Sequence, residues 1–444
     1  MLLLYRPLAH GNTFSFLPLK FAKRLYLIYL MLHRFEVYIT LLTRVVISEN
    51  GGEMQVILMD QHDLMDSRVN RHASFLSDTG FDVIRFNFDL KESDKISDMR
   101  LNNYTCHVIG MAYTQNLLLN MIIYTLDKIT VNILRSEKAI IGSSRFRFDE
   151  PTIIHVHDPL LLPLAKRLKK SIKRSKLVYD RHEAYEVDCC NYMGIPLGRV
   201  AESLTAADID GVVVVTDEYI STASKFFPGA AVEVVPNYPV SGDYNDERIM
   251  DKISGTDDDT TLVFSYIGSL WGLDRDVDLM LKIADRLLSA GRNVKFFIGG
   301  GTEEKLPSEI YEMSKRFPDR FFFLGYVERE RAKEITEGSH FGLFLIKPET
   351  NYWVSCSPNK VFEYLRCGVI PIIRADCVNK ETIAPASLFF ERYDDEEYII
   401  ETIDSLLSDT GRIVEMMKKA YKISEDYLFE KVSDNYLKLY NKIL

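Results

Sequence analysis

From Met54 onward, short apolar runs alternate with amphipathic stretches: VILMD precedes SRVNRHASFLSDTG, DVIRFNF follows, and further on TIIHVHD, KLVYD, GVVVVT and VEVVPN stand between helical patterns. A run of about five apolar residues is too short for a helix and suits a strand buried on both faces, and strands separated by helices pair in parallel. A second series repeats the plan with TLVFSYIG, VKFFIGGG, RFFFLGYV, FGLFLI and VIPII. Between the two, VPNYPVSGDYNDERIMDKISGTDDDT, residues 235–260, is rich in turn formers and acids and reads as a linker. The expectation is an α/β chain with two parallel sheets covered by helices, divided into residues 54–242, a linker at 243–260 and residues 261–420. The closing ISEDYLFEKVSDNYLKLYNKIL has apolar residues at helical spacing, so residues 421–444 read as a final helix. The segment 88–150 shows one helical pattern near 111–128 and little else.

At 444 residues the chain exceeds one ordinary core. Its formal net charge of -10 excludes a general nucleic-acid binder, because neutralising phosphates takes a basic face. The six cysteines, at 106, 189, 190, 356, 367 and 377, form no CxxC pair and no disulfide-dense spacing, which fits free thiols in a reducing cytoplasm. Residues 1–53 differ from the rest. Their apolar LYLIYLML is shorter than a membrane span and closely flanked by Lys23, Arg24, Arg34 and Glu36, and no small-residue cleavage site follows it. Because MQVILMD reads as a first strand, residues 1–53 are expected to be a translated leader ahead of a start at Met54, or else a surface helix.

The clearest local punctuation lies in SPNKVFEYLRCGVIPII, residues 357–373. Ser357 is a good N-cap, Pro358 suits the first helical position and Gly368 suits the left-handed residue past the end, giving a helix of about three turns. The strand VIPII follows, with Pro371 a mild objection to full pairing. Asn359, Lys360 and Glu363 share one helix face. A helix start carries unpaired N–H groups and about half a positive charge, so with Lys360 it suits an anion, while Glu363 one turn deeper suits two vicinal hydroxyls. A diphosphate joined to a ribose meets both demands. A surface Lys–Glu pair on an ordinary α/β unit explains the same residues.

The other strand ends of the second series carry similar features. Gly268 and Ser269 follow SYI with Arg275 close behind, Gly299, Gly300 and Gly301 follow FFI, and Gly325, Tyr326 and Val327 follow FFFL. Together these make the chain resemble the retaining glycosyltransferases of the GT-B fold, particularly the large family 4, from Met54 to the C-terminus. The resemblance is strongest in IGSLWGLDRDVDLMLKIA, the glycine turn, LGYV and SPNKVFEYLRCGVIPII, and moderately strong in IIHVHDP, YDRHE and VVPN. It implies two Rossmann-like domains facing each other across a cleft, with the C-terminal helix crossing back to the N-terminal domain. It also implies a UDP- or GDP-sugar donor held mainly by the C-terminal domain, and a glycan, lipid-linked or small-molecule acceptor held by the N-terminal one. By the same resemblance Arg275 and Lys360 bind the diphosphate and Glu363 the ribose. Gly299 to Gly301 with Tyr326 and Val327 would meet the base, Gly268, Ser269, Ser357 and Asn359 complete the donor site, and His157 lies in the sugar pocket. In the mechanism favoured for such enzymes the acceptor attacks on the leaving-group face and a donor phosphate oxygen helps take its proton. Fixed cations and positioning then do the work, and no metal or other cofactor is required.

Two departures stand out. The family's Glu eight residues before the ribose Glu is Ser355 here, and its paired glycines after the first strand are replaced by DQHDLMDSRVNR, in which Asp66 and Arg68 are candidates to meet the acceptor or a phosphate. Both leave the sugar open and the nucleotide half untouched. They also support an alternative, a degenerate binding or scaffold protein of the same fold without turnover; a nucleotide-sugar epimerase or a phosphorylase is the other.

On the N-terminal side His155 and His157 share one strand face, and with Asp158, His182 and Glu183 they have the makings of a metal site. A polar cleft explains the pattern without an ion, and no metal is assigned. His157 is the candidate general base, and Asp158, His182 and Glu183 are candidates on the acceptor side. In AKRLKKSIKRSK, residues 165–176, seven of twelve residues are basic while Leu164, Leu168 and Ile172 recur every four. The stretch reads as a solvated outer helix or as a docking site for anionic lipid headgroups or a lipid-diphosphate acceptor. The expected location is the cytoplasm, peripheral on the inner face of the membrane where that helix docks.

Overall fold

The computed structural model describes residues 54–64, 66–88, 96–101, 104–109, 149–181, 191–192, 195–270, 275–301, 308–347, 359–374 and 379–444. The expected leader and the helical pattern near 111–128 lie outside them. The first sheet contains β1 (Gln55–Asp60), β2 (Asp82–Asn87), β3 (Ile96–Leu101), β4 (Tyr104–Ile109), β5 (Thr152–Val156), β6 (Ser175–Arg181), β9 (Gly211–Val214) and β10 (Ala231–Val234). Its order is β10-β9-β6-β5-β1-β2-β4-β3, parallel except for the edge strand β3. Two-residue strands β7 (Asn191–Tyr192) and β8 (Ile195–Pro196) pair separately. The β3–β4 hairpin is absent from the sequence reading, because its edge strand ISDMRL lacks the apolar run that marks a buried strand.

Strand order reverses at β1, which pairs with β2 on one side and β5 on the other. The carboxyl ends of β1 and β5 therefore diverge and open a crevice. The helix after β1, Ser67–Asp78, starts there because Asp66 accepts from the N–H groups of Arg68 and Val69, each at 3.0 Å. It buries Arg68, Val69, His72, Ala73 and Leu76, one face at helical spacing that includes two polar side chains.

The second sheet is all parallel, ordered β13-β12-β11-β14-β15-β16, with β11 (Leu262–Ile267), β12 (Val294–Gly299), β13 (Phe321–Phe323), β14 (Phe341–Leu345), β15 (Ile370–Arg374) and β16 (Leu388–Phe389). Phe264 stacks on Phe296 and Phe341 at centroid distances of 4.7 and 4.6 Å, tying its three inner strands together. Pro371 sits within β15 without breaking it. The N–H of Ile370 donates to His340 O, so the nitrogen of the next residue faces the other edge, where β16 begins pairing only at Ile372.

Within the expected linker, residues 246–255 form a helix capped by Asn245, and its Ile249 and Ile253 join the core of the second sheet. The closing stretch is three helical segments rather than one helix. Thr410–Ser424 buries Ile413, Met416 and Met417 in the second core; after a break the chain turns at Phe429–Val432, and Asp434–Ile443 lies on the first sheet. A Cβ on Gly211 of β9 would lie 3.1 Å from Leu439 of that last helix, so the glycine allows the close seat. The chain thus crosses back from the second sheet to the first.

The basic stretch 165–176 is helical only in its first part. Its helix is Leu162–Ser171, and Ser175 already begins β6. Leu164, Leu168 and Ile172 are buried in the first core, Lys166 pairs with Asp208 at 2.8 Å and Lys169 with Asp210 at 2.6 Å. The apolar stripe serves the sheet and is not available to a lipid surface.

Candidate active site

The helix expected in SPNKVFEYLRCG spans Asn359–Arg366 and ends as its residue types demand: Gly368 is left-handed at φ 59°, and the N–H of Val369 donates to Tyr364 O at 2.9 Å. A Cβ at Gly368 would stand 2.7 Å from Ile253, a second reason for glycine there. Lys360 and Glu363 meet one turn apart at 2.7 Å, both partly exposed. Burial pushes the Lys360 ammonium down, but the Glu363 carboxylate outweighs it and holds the group above its usual value.

This pair lines a cavity of about 340 Å³ between the carboxyl edges of the two sheets. Gly268, Tyr326 and Val327 also line it from the second sheet, while Asp63, Asp66 and Arg71 do so from the first. Tyr326 is 79% exposed at its mouth, an open aromatic face. Arg329 and Lys333 add cations, both already paired with Asp243, at 3.1 and 3.5 Å.

Arg275 stands behind this wall. It bridges to Ile346 beyond the end of β14, its Nε donates to the Tyr266 hydroxyl at 3.2 Å, and its guanidinium lies 5.5 Å from the Phe344 ring. Tyr266 donates in turn to Ser269 O at 2.8 Å. A Cβ on Gly268 would meet the Tyr266 hydroxyl at 3.2 Å and Lys360 Cε at 3.6 Å, so Arg275 and Lys360 flank one glycine turn.

The glycines of the 299–301 turn also serve the packing of the fold. A Cβ on Gly300, at φ 127°, would fall 1.7 Å from Gly268 O, and one on Gly299 would fall 2.7 Å from Val327. The close approach that they permit is between the turns of neighbouring strands, with Gly268 N donating to Gly299 O and Gly300 N to Gly325 O. They shape the floor beneath Tyr326 and Val327. Asn359 is exposed and does not line the cavity, nor do Ser269 and Gly301; Ser357, His182 and Glu183 lie outside the described residues.

The first sheet corrects the sequence reading more strongly. His157 and Arg68 are buried and do not line the cavity. Arg68 donates to both oxygens of Asp180, at 3.1 and 2.7 Å, and to Val235 O at 3.1 Å. His157 Nδ1 lies 3.3 Å from Asp180, and its Nε2 lies 3.1 Å from Nδ1 of His72. Burial drives the His157 imidazole well below its usual value, the nearby Asp180 carboxylate notwithstanding, so it is held neutral and away from the cavity surface. Asp158 accepts from the N–H of Gln61 at 2.7 Å and lies 3.6 Å from His62, fixing the loop that leads to Asp66.

The residue that sequence reasoning missed is Arg71. It lies on the cavity wall, bonds Asn237, and sits 5.7 Å from the Phe429 ring. Burial lowers its guanidinium from the usual value, against the pull of Glu363 across the cavity. Its three-residue spacing from Arg68 was the available signal, since both stand on the first turns of one helix.

Residues 251–423 match the family described as Glycosyl transferases group 1. No curated protein matches the chain by sequence. Among solved structures, sucrose-phosphate synthase from Thermosynechococcus elongatus superposes with a TM-score of 0.64 at 13% identity, over 88% of this chain and 99% of that one. An α,α-trehalose-phosphate synthase from Burkholderia xenovorans, solved with glucose-6-phosphate, gives 0.61 at 13%, over 86% and 99%. Anabaena HepE, solved with UDP and glucose, gives 0.59 at 11%, over 88% and 100%. The chain has the GT-B fold of two Rossmann-like sheets, and its residues 251–423 are similar to the group 1 glycosyl transferases.

Proposed function

We propose that the protein is a retaining glycosyltransferase, of the family 4 type, that moves a hexose from a nucleotide-diphosphate sugar to a sugar-bearing acceptor. The observation that carries this reading is the meeting of Lys360, Glu363, Gly268 and Tyr326 on one wall of a cleft whose other wall belongs to the first sheet. The Glu363 carboxylate would accept from the ribose hydroxyls, the diphosphate would lie by the Asn359–Arg366 helix start between Lys360 and Arg275, and the base would stack on Tyr326. Breaking the sugar–diphosphate bond develops negative charge on the leaving oxygens. Cations and N–H dipoles fixed there before the reaction stabilise that charge without reorganising. The acceptor would enter from the side of Asp66 and Arg71 and attack on the face that the diphosphate leaves, passing its proton to a phosphate oxygen, so the transfer step calls on no metal. The nucleotide ligand of Anabaena HepE and the sugar phosphate of the Burkholderia enzyme support this class of donor and acceptor.

Thermal stabilisation by a panel of nucleotide diphosphates and their sugars tests the donor half. One nucleotide should raise the melting temperature selectively, and Glu363→Ala should weaken its binding by about 1–3 kcal/mol. Unchanged affinity in that variant removes Glu363 from the site. The burial of His157 and Arg68 favours a second reading, a binding protein without turnover; nucleotide binding with no consumption of any nucleotide sugar would select it.

A further inference from the structure

We propose that His72, His155 and His157 form a transition-metal site, of a kind that takes Zn²⁺, buried under the carboxyl edge of the first sheet and closed by the last helix. One nitrogen from each ring lies within 4.8 Å of the other two, and all three side chains are fully buried. His155 belongs to β5, His157 follows one residue past its end, and His72 comes from the Ser67–Asp78 helix.

In each ring one nitrogen faces an oxygen from outside the trio. The Tyr440 hydroxyl lies 3.2 Å from His72 Nε2 and 2.8 Å from His155 Nδ1, and Asp180 lies 3.3 Å from His157 Nδ1. The nitrogens that remain are His72 Nδ1, His157 Nε2 and His155 Nε2. The first two are 3.1 Å apart, and two imidazole nitrogens on a tetrahedral zinc, each at about 2.0–2.1 Å, stand about 3.3 Å apart. His155 Nε2 is buried, 3.9 Å from Asp180, and has no hydrogen-bond partner among the described residues. Metal-bound imidazoles almost always donate their other N–H to a fixed oxygen, which sets tautomer and orientation; Tyr440 and Asp180 are placed to receive them.

A proton count gives the change of tautomer that an ion requires. Without an ion, one consistent chain runs from His155 Nδ1–H to the Tyr440 oxygen, from the Tyr440 O–H to His72 Nε2, from His72 Nδ1–H to His157 Nε2, and from His157 Nδ1–H to Asp180. It leaves one lone pair without a donor among the described residues, on His155 Nε2. With an ion, His72 moves its proton to Nε2 and gives it to the Tyr440 oxygen, the Tyr440 O–H gives up His72 as its acceptor and turns away, and three lone pairs face the metal. The imidazoles stay neutral and gain or lose no proton. Asp180 supplies counter-charge from behind His157. Arg68 neutralises part of it, so the fourth position favours an anionic ligand such as hydroxide. The ion would fasten the Ser67–Asp78 helix to β5 and, through Tyr440, to the returning C-terminal helix. None of its ligands lines the cleft, so the proposal stands apart from the glycosyl-transfer reading.

The test uses the full chain, stripped with chelator and titrated with Co²⁺ and then Zn²⁺. Uptake of one Co²⁺ per chain with the intense visible absorption of a four-coordinate site is expected, displaced by Zn²⁺ and raising the melting temperature. Tyr440→Phe should weaken uptake about 10–100-fold, and His155→Gln should abolish it in a protein that still melts cooperatively. X-ray absorption of the wild-type complex should show an imidazole shell, and it decides the matter if His155→Gln does not fold. No stoichiometric uptake by the folded chain, an oxygen-only shell, or unchanged uptake in a folded His155→Gln would each overturn the site and leave a hydrogen-bonded chain.

Discussion

The two carboxyl edges that face each other across the cleft are built by different means. On the second sheet, glycine turns and a helix start bring Gly268, Tyr326, Val327, Lys360 and Glu363 to one surface. On the first, the side chains with the most evident chemistry, Arg68, His155 and His157, turn inward to Asp180 and the closing helix, and the wall is left to Asp63, Asp66 and Arg71. A site made by backbone shape is readable from residue types. A site made by charged side chains depends on which way each one points, and a helix turn offers both directions within three residues.

The contrast can be broken most sharply at Arg68. Arg68→Ala leaves Asp180 buried without its bidentate partner and should cost about 3–5 kcal/mol in denaturant unfolding. A loss under about 1 kcal/mol would mean that Arg68 works in the cleft after all, and the two edges would then be alike. At the other edge, Gly300→Ala drives a methyl into Gly268 O and should destabilise by about 3 kcal/mol while disturbing nucleotide binding. Full stability in that variant would free the turn from its neighbour and return it to the ligand.

A pH series separates the second sheet's own stability from its ligand site. Burial, with Lys252 adding to it, lowers the His340 imidazole to about 3, while its Nδ1 accepts from the N–H of Val263 at 3.1 Å. The unfolded chain takes up a proton near pH 6.5 and the folded one does not until about pH 3, so stability falls as pH drops from 6.5 toward 3 and is fully present above it. Between pH 7 and 5 His340 should account for about 2 kcal/mol of the loss, and His340→Gln should reduce the slope by that share, the buried His72, His155 and His157 adding their own. An unchanged slope would place the titration elsewhere. The smallest effect is expected at Tyr326→Ala, which should leave folding intact and weaken nucleotide binding by about 0.5–1.5 kcal/mol through lost stacking. Equal binding would sharpen the contrast further, by confining the donor contacts to Lys360 and Glu363.

The sequence by itself determined the alternation that makes two parallel sheets, the Gly368 stop, and the grouping of Lys360 with Glu363, because strand burial, helix ends and one-turn spacing are set by residues adjacent in the chain. Pro371 shows the margin of that reading: its objection disappears only because β16 starts one residue later. Tertiary structure alone decided that His72 joins His155 and His157, that Tyr440 comes from the far end of the chain to bond two of them, and that Arg71 rather than Arg68 faces the cleft. Those outcomes depend on what packs against each helix face, and burial forces a polar side chain to find its partners wherever the fold places them.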